Sequence, residues 1–174
     1  MSIAQSMLPE YDYEMANTRK TLERIPEDKL EYKPDPKSMS MGVLASHISQ
    51  MPGYAVATMT TDSFDIAPAT GEKPQQFLAT SRQQLLAEFD KNVAAGRAAI
   101  AAGTDQQMMQ HWSLLAAGKA IFDMPRAGVL RTLVMNHLIH HRAQLTVYYR
   151  LNGVPVPALY GPSADEGSIA AAAG

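Results

Sequence analysis

Residues 126–151 read RAGVLRTLVMNHLIHHRAQLTVYYRL, and the spacing of apolar and imidazole side chains along this stretch decides the fold. Leu130, Val134, His137, His141, Leu145 and Tyr148 recur at intervals of three and four, the period of a helix that lays one face on a core. Pro125 stands where a helix can open and Asn152-Gly153 where one can stop, so the pattern predicts a helix from Arg126 to Leu151. His137 and His141 lie within its apolar stripe. An imidazole placed there needs partners for two ring nitrogens once water has gone.

Working outward, the same period recurs upstream. Leu8, Tyr11, Met15, Thr18, Leu22 and Ile25 predict a packed helix over 3–25 that Pro26 ends. The Pro-rich, charged segment from Pro26 to Ser38 reads as an irregular connection. Ser40 is a suitable N-cap for a second helix carrying Val43, Leu44, His47, Ile48, Met51, Tyr54, Ala55 and Met59 near one face, with a kink expected at Pro52. After a loop over Thr60 to Lys73, Pro74 suits the opening of a third helix from Gln75 to Ala102. That helix is expected to turn Leu78, Leu85, Phe89, Val93 and Ile100 inward and to stop at Gly103. Between Gln107 and Met124, Trp112, Leu114, Ile121 and Phe122 flank Gly118-Lys119, which predicts a short hairpin outside the helices. The expected architecture is all-α: a four-helix bundle with one long crossover carrying a short β-hairpin. A single domain spans 1–168, followed by a short tail over 169–174.

A chain of 174 residues is long enough for one genuine core. Its net charge of −2, with signs mixed along the chain, provides no field that would recruit nucleic acid. No continuous apolar run marks a membrane span or a secretory leader, so a cytoplasmic setting is expected. Cysteine is absent, which excludes disulfides, thiolate ligands and an internal nucleophilic thiol. Arg126, Arg131, Arg142 and Arg150 are read as solvated positions on the last helix rather than as an anion site.

Residues four apart on a helix are displaced by about 40° around the axis and about 6 Å along it, so His137 and His141 can reach one ion. His47, on the apolar stripe of the second helix, is the natural third donor. His140, three residues from His137, competes for the role, while His111 reads as a surface side chain. The bland alternative is three histidines hydrogen-bonded to main-chain carbonyls or to Tyr54 and Tyr11. Leu138 follows His137, so the glutamate of an HExxH metalloprotease is missing, and residues 127–151 contain no Asp or Glu for a carboxylate-bridged di-iron site. Three neutral donors would leave a divalent ion its full charge and open positions, a Lewis-acid site.

The run MPRAGVLRTLVMNHLIHHRAQLTVYYRLNGVPVPALYGPSADE over 124–166, with ASHISQ around His47, resembles the DinB family of the DinB/YfiT-like superfamily. The resemblance extends over nearly the whole chain and is most specific in HLIHHR and GVPVPALYGPSADE. It implies a bundle holding a divalent metal, zinc or nickel, on His47, His137 and His141, with His140 outside the ligand set. It also implies a homodimer and a stress or detoxification setting without DNA contact.

Some members of that superfamily are thiol-dependent transferases or isomerases. The leading expectation is therefore a metal-dependent thiol S-transferase using a low-molecular-weight thiol, with Tyr54 and Gln144 as pocket walls. The alternatives are hydrolysis by a metal-activated water and a non-enzymatic, dimeric metal-binding protein.

Overall fold

The computed structural model describes residues 1–69, 71 and 77–167. The expected helix opening at Pro74 and Gln75 and the 169–174 tail lie outside the described residues. The chain is mostly helical, with a small sheet.

Helix α1 (Ile3–Leu22) opens on a reciprocal cap: the Ser2 hydroxyl accepts the Gln5 amide at 3.2 Å, and the Gln5 side chain accepts the Ser2 amide at 3.0 Å. It ends three residues earlier than the periodicity suggests. Pro26 disfavours helical geometry at Ile25, and the last turn tightens through Arg24 and Ile25 amides bonded to the Thr21 and Leu22 carbonyls. Ile25 is nonetheless fully buried.

Helix α2 (Met41–Gln50) starts at Ser40, whose hydroxyl accepts the Val43 amide. The expected kink at Pro52 is a full break, a 3₁₀ turn over Met51–Gly53, before α3 (Tyr54–Thr60). Helix α4 (Arg82–Ala101) begins at the Ser81 cap, seven residues later than predicted. Leu78 therefore lies outside the helix and is exposed, not inward, and Val93 is only partly buried. The neighbouring segment is pinned instead by the Ala79 amide donating to Ser46 Oγ at 3.0 Å.

A short helix, α5 (Asp105–Met109), leads into the hairpin of β2 (His111–Ala116) and β3 (Lys119–Pro125). The turn residues are Ala117 and Gly118, with φ of 51° and 74°, rather than Gly118-Lys119. Positive φ at both central positions matches the right-handed strand twist. The all-α expectation overlooked a third strand, β1 (Ser63–Asp65), which pairs in parallel with β2 from Ser63 opposite Ser113. Its formation makes the region a three-stranded sheet in the order β1-β2-β3. Trp112 is buried there and donates its indole N–H to Thr61 Oγ1 at 3.3 Å.

The predicted last helix follows a continuous helical path from Arg126 to Leu151 in three parts: α6 (Arg126–Val129), a π-helical segment over Leu130–Asn136, and α7 (His137–Leu151). Helix α1 packs on α4 and α7, and α2 packs on the same two, closing a ring of contacts around Tyr11, Leu44, Ile48, Phe89, Leu145 and Tyr149. Two of the four arginines read as solvated are corrected by this packing. Arg126 and Arg142 are 4 % and 1 % exposed, whereas Arg131 and Arg150 are exposed. Arg142 reaches Glu14, and the two terminal nitrogens of Arg126 donate to the Thr58 and Thr61 carbonyls and to Asp62, which offsets the burial of both charges although Arg126 Nε has no partner.

Candidate metal centre

Helix α7 buries Leu138, Arg142, Leu145 and Tyr149, leaving His137 and His141 at the rim of its inner face rather than on the seam itself. Helix α2 likewise buries Leu44, Ala45 and Ile48 and holds His47 at the edge. Packing of α2 on α7 brings these edges together. Ring centroids are 4.9 Å apart for His47 and His141, 5.4 Å for His47 and His137, and 4.6 Å for His137 and His141. One nitrogen from each of the three lies within 4.8 Å of the others. Among the described residues, these are the cluster that could hold a metal ion.

Electrostatics favour the neutral rings that a metal requires. Burial, and then the facing His141 and His137, push His47 down to about 4 from the usual 6.5. Burial also lowers His137 and His141, partly countered by the Leu133 carbonyl at the first and by Gln144 at the second. Tautomers follow from the contacts. The His141 Nδ1–H donates to Gln144 Oε1 at 2.7 Å, so the lone pair of His141 sits on Nε2, 2.9 Å from Nε2 of His137. Two lone pairs facing at that distance repel unless a proton or a cation lies between them. A cation would leave the proton of His137 on Nδ1, a buried atom without a hydrogen-bond partner here, beside the Leu133 carbonyl that favours a protonated ring. The donor set fits a divalent ion.

The other candidates fall on both sides. His140 is exposed, 5.0 Å from His141 by ring centroids, and is not part of the cluster. His111 is exposed and bonded to Asp123 on the hairpin. The bland alternative loses Tyr11 as a partner, since its hydroxyl donates to the Val93 carbonyl at 3.3 Å, and keeps a main-chain carbonyl, that of Leu133, beside His137. Tyr54 packs beside His47 with ring centroids 6.5 Å apart, and burial raises its hydroxyl pKa. Gln144 is exposed, with Oε1 2.7 Å from His141 Nδ1.

Sequence periodicity missed the cleft next to the cluster, an open space of about 380 Å³ lined by Phe122, Met124, Thr132, Leu133 and His137. No spacing rule relates a hairpin strand to a π-helical turn. The alternation of Phe122 and Met124 along β3 was the one available signal.

The sequence matches the DinB family over residues 1–171. The chain belongs to the DinB family. It is 27 % identical over 162 residues to the uncharacterized protein YrdA of Bacillus subtilis strain 168, covering 91 % of this chain and 89 % of that protein. The DinB fold is also evident in solved structures. A DinB-like protein from Bacillus cereus ATCC 10987 superposes with a TM-score of 0.69 at 24 % identity, covering 90 % of this chain and 97 % of its own. The DinB-like protein YjoA of Bacillus subtilis gives a TM-score of 0.63 at 20 % identity, covering 87 % and 96 %. Among the described residues of this DinB chain, no helix is long and apolar enough to cross a membrane.

Proposed function

We propose that this chain is a divalent-metal-dependent thiol S-transferase on a four-helix bundle of the DinB type, with His47, His137 and His141 holding zinc or nickel. The observation that carries the reading is the convergence of three neutral imidazoles, with donor atoms within 4.8 Å, that no described carboxylate joins. A purely structural ion has its coordination positions filled by protein, whereas a reactive one keeps room for an outside donor. All-imidazole donors suit zinc, nickel, copper and iron alike, and the choice of zinc or nickel rests on the family resemblance. A divalent ion held there supplies Lewis acidity that lowers the pKa of a thiol.

The chain has no cysteine of its own, so the sulfur comes from a small thiol. In the transfer, a sulfur lone pair forms the new S–C bond while the bond from that carbon to its leaving group breaks. The leaving group departs with its electron pair, and the thiol proton passes to solvent. Burial keeps the three rings unprotonated, Gln144 fixes the tautomer of His141, and Tyr54 walls the His47 side. Hydrolysis, the competing chemistry, needs a general base, and among the described residues no carboxylate stands in the cluster. Pairing with a second copy, which the family resemblance implies, is read directly by sedimentation at several concentrations.

Elemental analysis of protein purified without added metal is expected to find about one divalent ion per chain. His47→Ala, His137→Ala and His141→Ala variants should lose the ion while keeping their helicity. Metal-loaded protein incubated with a panel of thiols and electrophiles should form thioether product, and chelation should stop it. A fully metallated protein that forms no product with any pairing overturns the transferase reading.

A further inference from the structure

The cleft beside His137 has a composition that the metal cluster does not explain. One wall is β3, with the Phe122 ring and the Met124 thioether, and the other is the π-helical turn, with Thr132 and Leu133. No charged side chain lines it. The Thr132 hydroxyl is already engaged, donating to the Gly128 carbonyl at 2.8 Å and lying 3.6 Å from Met124 Sδ. An ionic group entering this space would give up water without a partner, whereas an apolar group would gain contact with an aromatic ring, a thioether and a leucine.

The volume of about 380 Å³ is at the small end of the range for ligand sites. His137 belongs both to the cleft lining and to the imidazole cluster, so the cleft adjoins the cluster.

We propose that this cleft seats an uncharged alkyl or aryl group, the body of the electrophile, between the hairpin and the π-helical turn. The polar thiol then approaches from another side. The role assigned to the seated group rests on the transferase reading, but its binding rests on the cleft alone. Phe122, Met124, Thr132 and Leu133 are thereby specificity-determining residues. The hairpin inserted between α5 and α6 is what makes this chain select an apolar partner.

The test uses unreactive stand-ins. Isotope-labelled full-length protein, metal-free and zinc-loaded, is titrated with 1-butanol through 1-heptanol and separately with glutathione, and amide shifts are followed by NMR. The alcohols should shift the amides of Phe122, Met124, Thr132 and Leu133, and affinity should rise roughly three- to fourfold per added methylene. Glutathione should leave these amides in place. Thr132→Trp, which fills the mouth from an exposed position, should remove the chain-length dependence, and Phe122→Ala should weaken it from the opposite wall.

Affinity independent of chain length, shifts confined to other residues, or an unchanged series in both variants would overturn the proposal. So would shifts that vary with protein concentration, which would assign the cleft to a second copy. Zinc content at background with the alcohol series intact would support the cleft and remove the metal reading instead.

Discussion

At the scale of single residues, the cluster depends on keeping three imidazoles neutral and oriented. Gln144 holds the His141 proton on Nδ1 and so frees Nε2. Gln144→Leu is expected to weaken zinc binding roughly 10- to 100-fold in chelator competition, as loss of such outer partners commonly does. Unchanged affinity would leave Gln144 no part in the site. His47 links protonation to stability. Its folded pKa of about 4 lies below the free value of 6.5, so between the two the unfolded chain binds a proton that the folded chain refuses. The contribution to metal-free stability is therefore complete above 6.5 and is lost as pH falls toward 4. Urea unfolding midpoints across that window should decline on acidification, and His47→Gln, which cannot titrate, should flatten this part of the profile.

At the scale of elements, the hairpin and the π-helical turn matter because they form the walls of the cleft. Ala117 adopts φ 51°, a left-handed conformation that costs a β-carbon residue about 1 kcal/mol. Ala117→Asn should therefore raise the thermal midpoint by a few degrees and Ala117→Val should lower it, without moving zinc content. Helix identity and cap positions were readable because capping serines and apolar periods are local signals: Ser40 opens α2, and the 126–151 helix runs as its spacing predicts. The π-helical turn was not readable, because Leu130 and Val134 have the same spacing in an α-helix as in the wider turn. Strand β1 escaped for a related reason. Three exposed or half-exposed residues, Ser63–Asp65, become a strand only when β2 lies alongside.

At the scale of the whole molecule, Arg142 is the tie between the two ends of the chain. Its guanidinium donates to Glu14 Oε2 at 2.7 Å, to the Glu14 carbonyl at 3.0 Å and to Thr18 Oγ1 at 3.1 Å, and it also bonds the Tyr160 hydroxyl. Tyr160 in turn donates to Glu14 at 2.6 Å. The segment after α7 is drawn over α1 by this group, by Tyr13 donating to the Leu159 carbonyl, and by the Arg24–Glu166 pair. Arg142→Met leaves the buried Glu14 carboxylate without its cation and should cost about 3–5 kcal/mol in urea unfolding. Adding Glu14→Leu should recover much of that loss, and a single variant as stable as the parent would show that the pair carries no such role.

The amino-acid sequence by itself determined the helical character, the last helix, the hairpin and the placing of His47, His137 and His141 on apolar stripes, because periodicity and capping act within a few residues. Only the tertiary structure decided that the three histidines meet, at the rim of the core, that Arg126 and Arg142 are buried rather than solvated, and that a strand and a π-helical turn flank an open cleft. Those outcomes depend on which distant groups are available to satisfy a buried charge or line a wall, and spacing along the chain does not encode that.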